Sequence, residues 1–155
     1  MCEKWHTEEK KDMTWLRDLN SNFKCPCRVV KRRILWGLWG KLNPVDNPSG
    51  KTWKADVACA VNGLPFCVFT HKGADGCLRS KELSKFGARQ QCCYDSKGDI
   101  IKPGVLGAGT PDRSGSFFGH LSADVWPFDW CCKECKRLCH YYIDDVRKGN
   151  TDHCA

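Results

Sequence analysis

Nothing in this 155-residue chain is apolar for long enough to cross a bilayer as a helix, and the longest uncharged run, Val57 to Thr70, is broken by Asn62, Gly63 and Pro65. The residues after Met1, Cys-Glu-Lys-Trp-His-Thr-Glu-Glu-Lys-Lys, lack the apolar centre of a signal peptide. Neither His-Glu-x-x-His nor Gly-x-Ser-x-Gly occurs, and the five histidines are scattered, so no hydrolase motif is encoded. An N-glycosylation acceptor is also missing, because Asn47 is followed by Pro48. With 41% hydrophobic residues the chain is nevertheless too apolar for a disordered segment.

What the chain has in excess is cysteine. Thirteen cysteines are far more than a reduced cytosolic protein usually carries, and they point to a disulfide framework made in an oxidising compartment. Together with the missing leader, this gives the expectation of one domain over residues 1–155, cut from a larger extracellular protein. Thirteen is odd, so one thiol is left free or is paired outside this chain. The competing chemistry is zinc, since Cys132-x-x-Cys135 has ligand spacing and Cys139-His140 follows. No second cysteine pair with that spacing exists, so disulfides are preferred, with no metal or cofactor assigned.

The local pattern predicts an α+β domain with short antiparallel hairpins, a few short helices and much irregular loop. A helix is expected over Asp12 to Asn20 from the spacing of Met13, Leu16 and Leu19. A second amphipathic helix is expected where Val30, Ile34, Leu35 and Leu38 share a face, followed by a loop from Leu42 to Gly50. One hairpin is expected over Val57–Val61 and Phe66–Thr70. Another is expected over Gln91–Tyr94 and Asp99–Ile101, closed at Gly98. Pro103 to Ser116 reads as irregular, and a last helix should start at Pro127, where Cys131, Cys135 and Cys139 would share a face. Adjacent strand residues face opposite ways, so Cys92 and Cys93 need different partners, for which Cys131 and Cys132 offer matching reach.

Specific motifs then appear in order: Cys2-x-x-Trp5, Trp15-Leu16, Cys25-Pro26-Cys27, Cys77-Leu78-Arg79-Ser80, Gln90-Gln91-Cys92-Cys93-Tyr94-Asp95, Gly107-Ala108-Gly109-Thr110-Pro111-Asp112-Arg113, Asp124-Val125-Trp126-Pro127 and Cys131-Cys132. Together they resemble the AMOP domain, an adhesion-associated extracellular module of transmembrane mucins, isthmin and sushi-domain-containing cell-surface proteins. The resemblance runs from Cys2 to Cys154 and implies adhesion rather than catalysis. Cys139-x-x-Tyr142 has a counterpart in the family and Cys135 does not. Cys135 is therefore the candidate free thiol, and the framework comprises Cys2, Cys25, Cys27, Cys59, Cys67, Cys77, Cys92, Cys93, Cys131, Cys132, Cys139 and Cys154.

Two surface features remain. Lys24 to Lys54 holds eight basic residues against Asp46 alone, an excess equal to the net charge of the entire chain, +7. Trp36, Trp39 and Trp53 are interleaved with them, so Lys31, Arg32 and Arg33, with Lys51 and Lys54, form a candidate site for a sulfated glycan or another anionic surface. The competing reading places the tryptophans in the core and the charges on a solvated helix. Lys97-Gly98-Asp99 resembles an integrin-recognition turn at a hairpin tip, and it is also ordinary hairpin chemistry. The sequence therefore predicts a non-enzymatic extracellular module for cell adhesion or cell–matrix binding. Its partner would be a cell-surface or matrix protein or a sulfated glycan, with no small-molecule substrate and no nucleic acid. The alternative is a cytosolic zinc-stabilised nucleic-acid-binding protein.

Overall fold

The computed structural model describes residues 1–33, 39–56, 73–102 and 108–154. Helix α1 (Cys2–Glu9) and helix α2 (Thr14–Asn22) open the chain. α2 buries Trp15, Leu16 and Leu19 on one face and packs them with Phe23 and Ala88, as the helical spacing requires. Asp12 accepts the Thr14 N–H through its side chain, and Met13 accepts the first helical bonds, so the helix starts two residues later than the sequence pattern suggests. α1 was not legible in its polar sequence, and Cys2 is its one buried residue.

The second amphipathic helix is a correction. Its first residues form strand β1 (Val29–Arg33), antiparallel to strand β2 (Trp39–Pro44). Along β1, Val29 is 4% exposed, Val30 54%, and the Lys31 side chain only 6%, a period of two rather than 3.6. Ile34, Leu35 and Leu38 lie outside the described residues, as does the hairpin expected over Val57–Val61 and Phe66–Thr70. The loop expected from Leu42 begins only after Pro44.

A second sheet is built from β3 (Trp53–Ala55), β4 (Gly76–Ser80) and β5 (Gln91–Tyr94), antiparallel in the order β3-β4-β5. The turn after β5 closes as its sequence predicts. Asp95 N–H donates to Asp99 O at 2.9 Å, and Gly98 has φ +85°. A β-carbon at Gly98 would stand 2.2 Å from Val29 O, so only glycine fits between the turn and β1. The far arm of this hairpin makes isolated bridges, Tyr94 with Ile100 and Arg28 with Asp99, while the main ladder of β5 runs to β4.

The C-terminal region is helical from well before Pro127. Helix α3 (Phe117–His120) continues into a wide turn of π type over Leu121–Val125, then α4 (Trp126–Phe128) and a second wide turn over Asp129–Glu134. The helix breaks at Cys135, whose φ of −130° and ψ of 73° are not helical. Lys136–Leu138 and Tyr141–Val146 resume it in short turns. Cys131, Cys135 and Cys139 thus do not share one helix face.

Disulfides replace one large core. The bonds are Cys2–Cys131, Cys25–Cys92, Cys27–Cys154, Cys77–Cys93 and Cys132–Cys139, and Cys135 carries a free thiol. Cys59 and Cys67 lie outside the described residues. Cys92 and Cys93 do serve separate bonds from opposite faces of β5, but their partners are Cys25 and Cys77, not Cys131 and Cys132. β5 lies beside β4, whose Cys77 is in register with Cys93, whereas the C-terminal cysteines gather around α1. Four of the five described bonds sit inside small apolar clusters. One surrounds Cys2, Cys131, Cys132 and Cys139 with Leu138 and Tyr142, and another surrounds Cys25 and Cys92 with Val29, Leu42, Leu78 and Tyr94. The result is a small disulfide-rich α+β domain.

Candidate functional site

On the Cys93 face of the second sheet the charged side chains join into one buried chain. Glu9 of α1 accepts from Arg147 Nη1 at 2.8 Å, and Arg147 Nε donates to Asp124 Oδ1 at 2.8 Å. Asp124 Oδ2 lies 3.0 Å from His120 Nδ1, which lies 3.4 Å from Asp112 Oδ1. Asp112 Oδ2 then meets Arg79 Nε at 2.9 Å, and Arg79 Nη2 reaches Asp56 Oδ2 at 3.2 Å. Acid and base alternate from α1 to the edge of the sheet.

Each member is held by its own element. Arg147 is wholly buried, with its guanidinium over the rings of Trp5, Trp15 and Tyr142 and further bonds to Val146 O and Ala123 O. These contacts satisfy a cation that could not otherwise be buried. Asp124 accepts the Arg113 N–H at 3.0 Å on both oxygens, and Tyr142 Oη donates to Asp124 O. Asp112 is fixed by a two-way backbone bridge to Arg89. Gln91 donates to Asp56 and accepts from Gly109 N–H, so the turn at Ala108 and Gly109 is seated on β5.

Burial raises the Asp112 carboxyl to about 7, against the opposing attraction of Arg79 and His120. Burial works against the charged imidazole of His120, but the hydrogen bond it donates to Asp124 and the charge of Asp112 outweigh it and raise its pKa. Asp112 and Asp124 lie in motifs quoted from the sequence, whereas Glu9, Asp56, His120 and Arg147 were missed as site residues. They come from distant segments with no shared spacing, so no local pattern could have assembled them.

The expected basic residues have different surroundings. Lys31 is turned inward and ion-paired with Asp75. Arg32 and Lys54 are exposed, while Lys51 lies over the Phe23 ring at 4.6 Å. The side chain of Arg33 is outside the described residues. In the Lys97-Gly98-Asp99 turn Lys97 is exposed and Asp99 pairs with Arg28 at 3.2 Å. Asp95 Oδ1 accepts the N–H groups of Lys97 and Asp99 and locks the turn. Zinc at Cys132 and Cys139 is excluded while these two are bonded to each other. Asp145 binds His6 at 2.6 Å and Lys10 at 2.7 Å and fastens α1.

A surface that the sequence did not announce lies at Lys81–Arg89. The Ser84 hydroxyl accepts the N–H groups of Phe86 and Ala88, Arg89 Nη1 donates to Ser80 O and Lys81 O, and Ala88 is fully buried. This rigid loop presents Leu83 at 50% exposure and Phe86 at 37%. Gly115 N–H donates to Gly87 O, and Arg113 Nη1 to Phe86 O, which joins the loop to the segment leading into Phe118, itself 81% exposed.

A family model described as the AMOP domain matches residues 1–155. Sushi domain-containing protein 2 of Homo sapiens is 27% identical over 146 residues, covering 84% of this chain and 16% of that protein. An uncharacterised Caenorhabditis elegans protein is 27% identical over 111 residues, covering 66% of this chain and 7% of that one. The chain thus spans less than a fifth of the length of these curated relatives. No solved structure matches it. The domain type and its many disulfides fit an extracellular or cell-surface protein. Matched by the family model from its first residue to its last, the chain belongs to the AMOP domain family.

Proposed function

We propose that this domain is a non-enzymatic interaction module for cell adhesion or cell–matrix contact, whose partner is a cell-surface or matrix protein. The observation that carries the reading is the rigid loop Lys81–Arg89, which shows Leu83 and Phe86 to solvent. Large apolar side chains held outward on a stiff frame bind at low entropic cost, and patches of this kind mark protein-interaction sites. Lys81, Lys85 and Arg89 surround them with positive charge, against Glu82 alone in the loop. Family membership and the disulfide framework support placement outside the cell.

Cell attachment to the immobilised domain tests this reading. Substituting Leu83, Phe86 and Phe118 with Ser should reduce attachment while circular dichroism and the disulfide pattern stay unchanged. Attachment equal to that of the parent domain would overturn it. A sulfated glycan is a second partner, favoured by the exposure of Arg32 and Lys54. That part of the reading predicts salt-sensitive retention on heparin, weakened in Arg32→Ala/Lys54→Ala.

A further inference from the structure

His120 stands at the centre of the buried ionic chain, between Asp112 and Asp124. At that point three donor atoms, one each from Asp112, His120 and Asp124, converge within 4.8 Å of one another. His120 Nδ1 is 3.0 Å from one carboxylate oxygen and 3.4 Å from the other. Two ligands bound to one ion at roughly 2.0–2.1 Å, at right or tetrahedral angles, lie roughly 2.8–3.4 Å apart. Both His120 separations fall in that range.

We infer that Asp112, His120 and Asp124 form a site for a divalent transition-metal ion, with Zn²⁺ the ion best matched to the donors. One imidazole nitrogen and two carboxylate oxygens are a borderline donor set, whereas Ca²⁺ and Mg²⁺ take six or more oxygens or several waters. The surrounding shell is already built. Arg113 N–H orients both oxygens of Asp124, and Arg79 Nε holds Asp112 Oδ2, which leaves Oδ1 directed at His120. His120 and Asp124 are four residues apart on one helical face.

Gly119 brings the third ligand close. A β-carbon there would stand 2.1 Å from Ser114 Oγ, so glycine lets the turn that follows Asp112 lie against α3. The His120 side chain is 30% exposed, which gives an ion a route in and leaves a coordination position for water. The other convergent group, Cys27, His153 and Cys154, offers no thiolate, since its two sulfurs are bonded to each other.

The test is calorimetric titration of the oxidised, chelator-treated domain with Zn²⁺ alone at neutral pH. One ion per chain should bind, equally in Cys135→Ser, and at least about tenfold more weakly in Asp112→Asn and His120→Gln. If either ligand variant fails to fold, ¹⁵N spectra of the unsubstituted domain replace it. Zn²⁺ should then shift the His120 Nδ1 resonance and leave those of His6, His140 and His153 in place. Absence of Zn²⁺ binding, undiminished affinity in His120→Gln, loss of binding in Cys135→Ser, or an unmoved His120 Nδ1 resonance would overturn the site.

Discussion

Arg147 Nε and Asp124 Oδ1 meet at 2.8 Å with 0% and 3% of their side chains exposed, and the pair joins the C-terminal helical turns to the Arg113 segment. Removing one partner of such a pair leaves a buried charge uncompensated, which costs about 3–5 kcal/mol. Arg147→Ala is therefore expected to lose about that much stability in denaturant titration of the oxidised domain. Arg147→Lys should recover little, because an ammonium cannot serve Asp124, Glu9 and Ala123 O with one planar fork. A loss below about 1 kcal/mol in Arg147→Ala would contradict the description of this pair.

The Gly98 position makes a second prediction. Its φ of +85° is compounded by the 2.2 Å approach of Val29 O to any β-carbon. Gly98→Ala should cost more than about 1 kcal/mol and loosen the contact between the turn and β1. Amide exchange at Val29, whose N–H donates to Gly98 O, reads the loosening directly. Unchanged protection at Val29 would show that the turn accommodates a side chain.

Lys31 separates the structural from the electrostatic reading of the basic segment. Its ion pair with Asp75 is largely buried, so Lys31→Ala should destabilise the domain by about 1–3 kcal/mol. Arg32→Ala should leave stability within about 0.5 kcal/mol of the parent, because Arg32 is exposed. Thermal melts of the two variants check this, and equal melting temperatures would contradict it.

The pH dependence of Asp145 has a definite sign. Partial burial disfavours its charge, but hydrogen bonds from Lys10 and His6 outweigh that and hold its carboxyl below the ordinary value of 3.8. An acid shifted in this direction contributes stability above its unfolded pKa and loses it as pH falls through the folded one. Asp145→Asn should therefore be less stable than the parent at neutral pH, by under about 1 kcal/mol given the exposure of the pair. The difference should shrink as pH is lowered below about 4. A difference that persists to the lowest pH would point to packing rather than charge.

Those features of the fold that rest on local pattern were legible. Trp15, Leu16 and Leu19 share a helix face, and Asp95 to Asp99 close a turn that only Gly98 permits. Cysteine content and the ordered motifs announced the domain type. β1 was misread because Val30, Ile34 and Leu38 are spaced like a helix face, whereas the strand buries Val29 and Lys31 on the side opposite Val30. A lysine facing inward is visible only once Asp75 is known to lie across from it. The same holds for the ionic chain, whose members come from α1, the sheet, the Gly-rich turn and the C-terminal helices. Disulfide partners escaped for a related reason: adjacency in strand β5 showed that Cys92 and Cys93 must part, but not which segments flank them.

Loop-closure entropy ranks the staples. Cys2–Cys131 spans 129 residues and Cys132–Cys139 spans seven. Even by the shorter route through Cys27–Cys154, the first closes a much longer loop of the unfolded chain than the second. Replacing Cys2 and Cys131 with Ser should therefore cost more than replacing Cys132 and Cys139, within the range of about 2–5 kcal/mol for native disulfides. Denaturant titration of the two double variants measures the order, and the reverse order would refute it. Full reduction should abolish the cooperative transition.

Disulfide mapping by proteolysis under non-reducing conditions, after alkylation of free thiols, tests the account at its centre, because three of the four apolar clusters among the described residues contain a bridge. The structure predicts peptides joined as Cys2–Cys131, Cys25–Cys92, Cys27–Cys154, Cys77–Cys93 and Cys132–Cys139, with the alkyl label on Cys135. A bond from Cys92 or Cys93 to the C-terminal cysteines, or an unlabelled Cys135 held in a bridge, would contradict it.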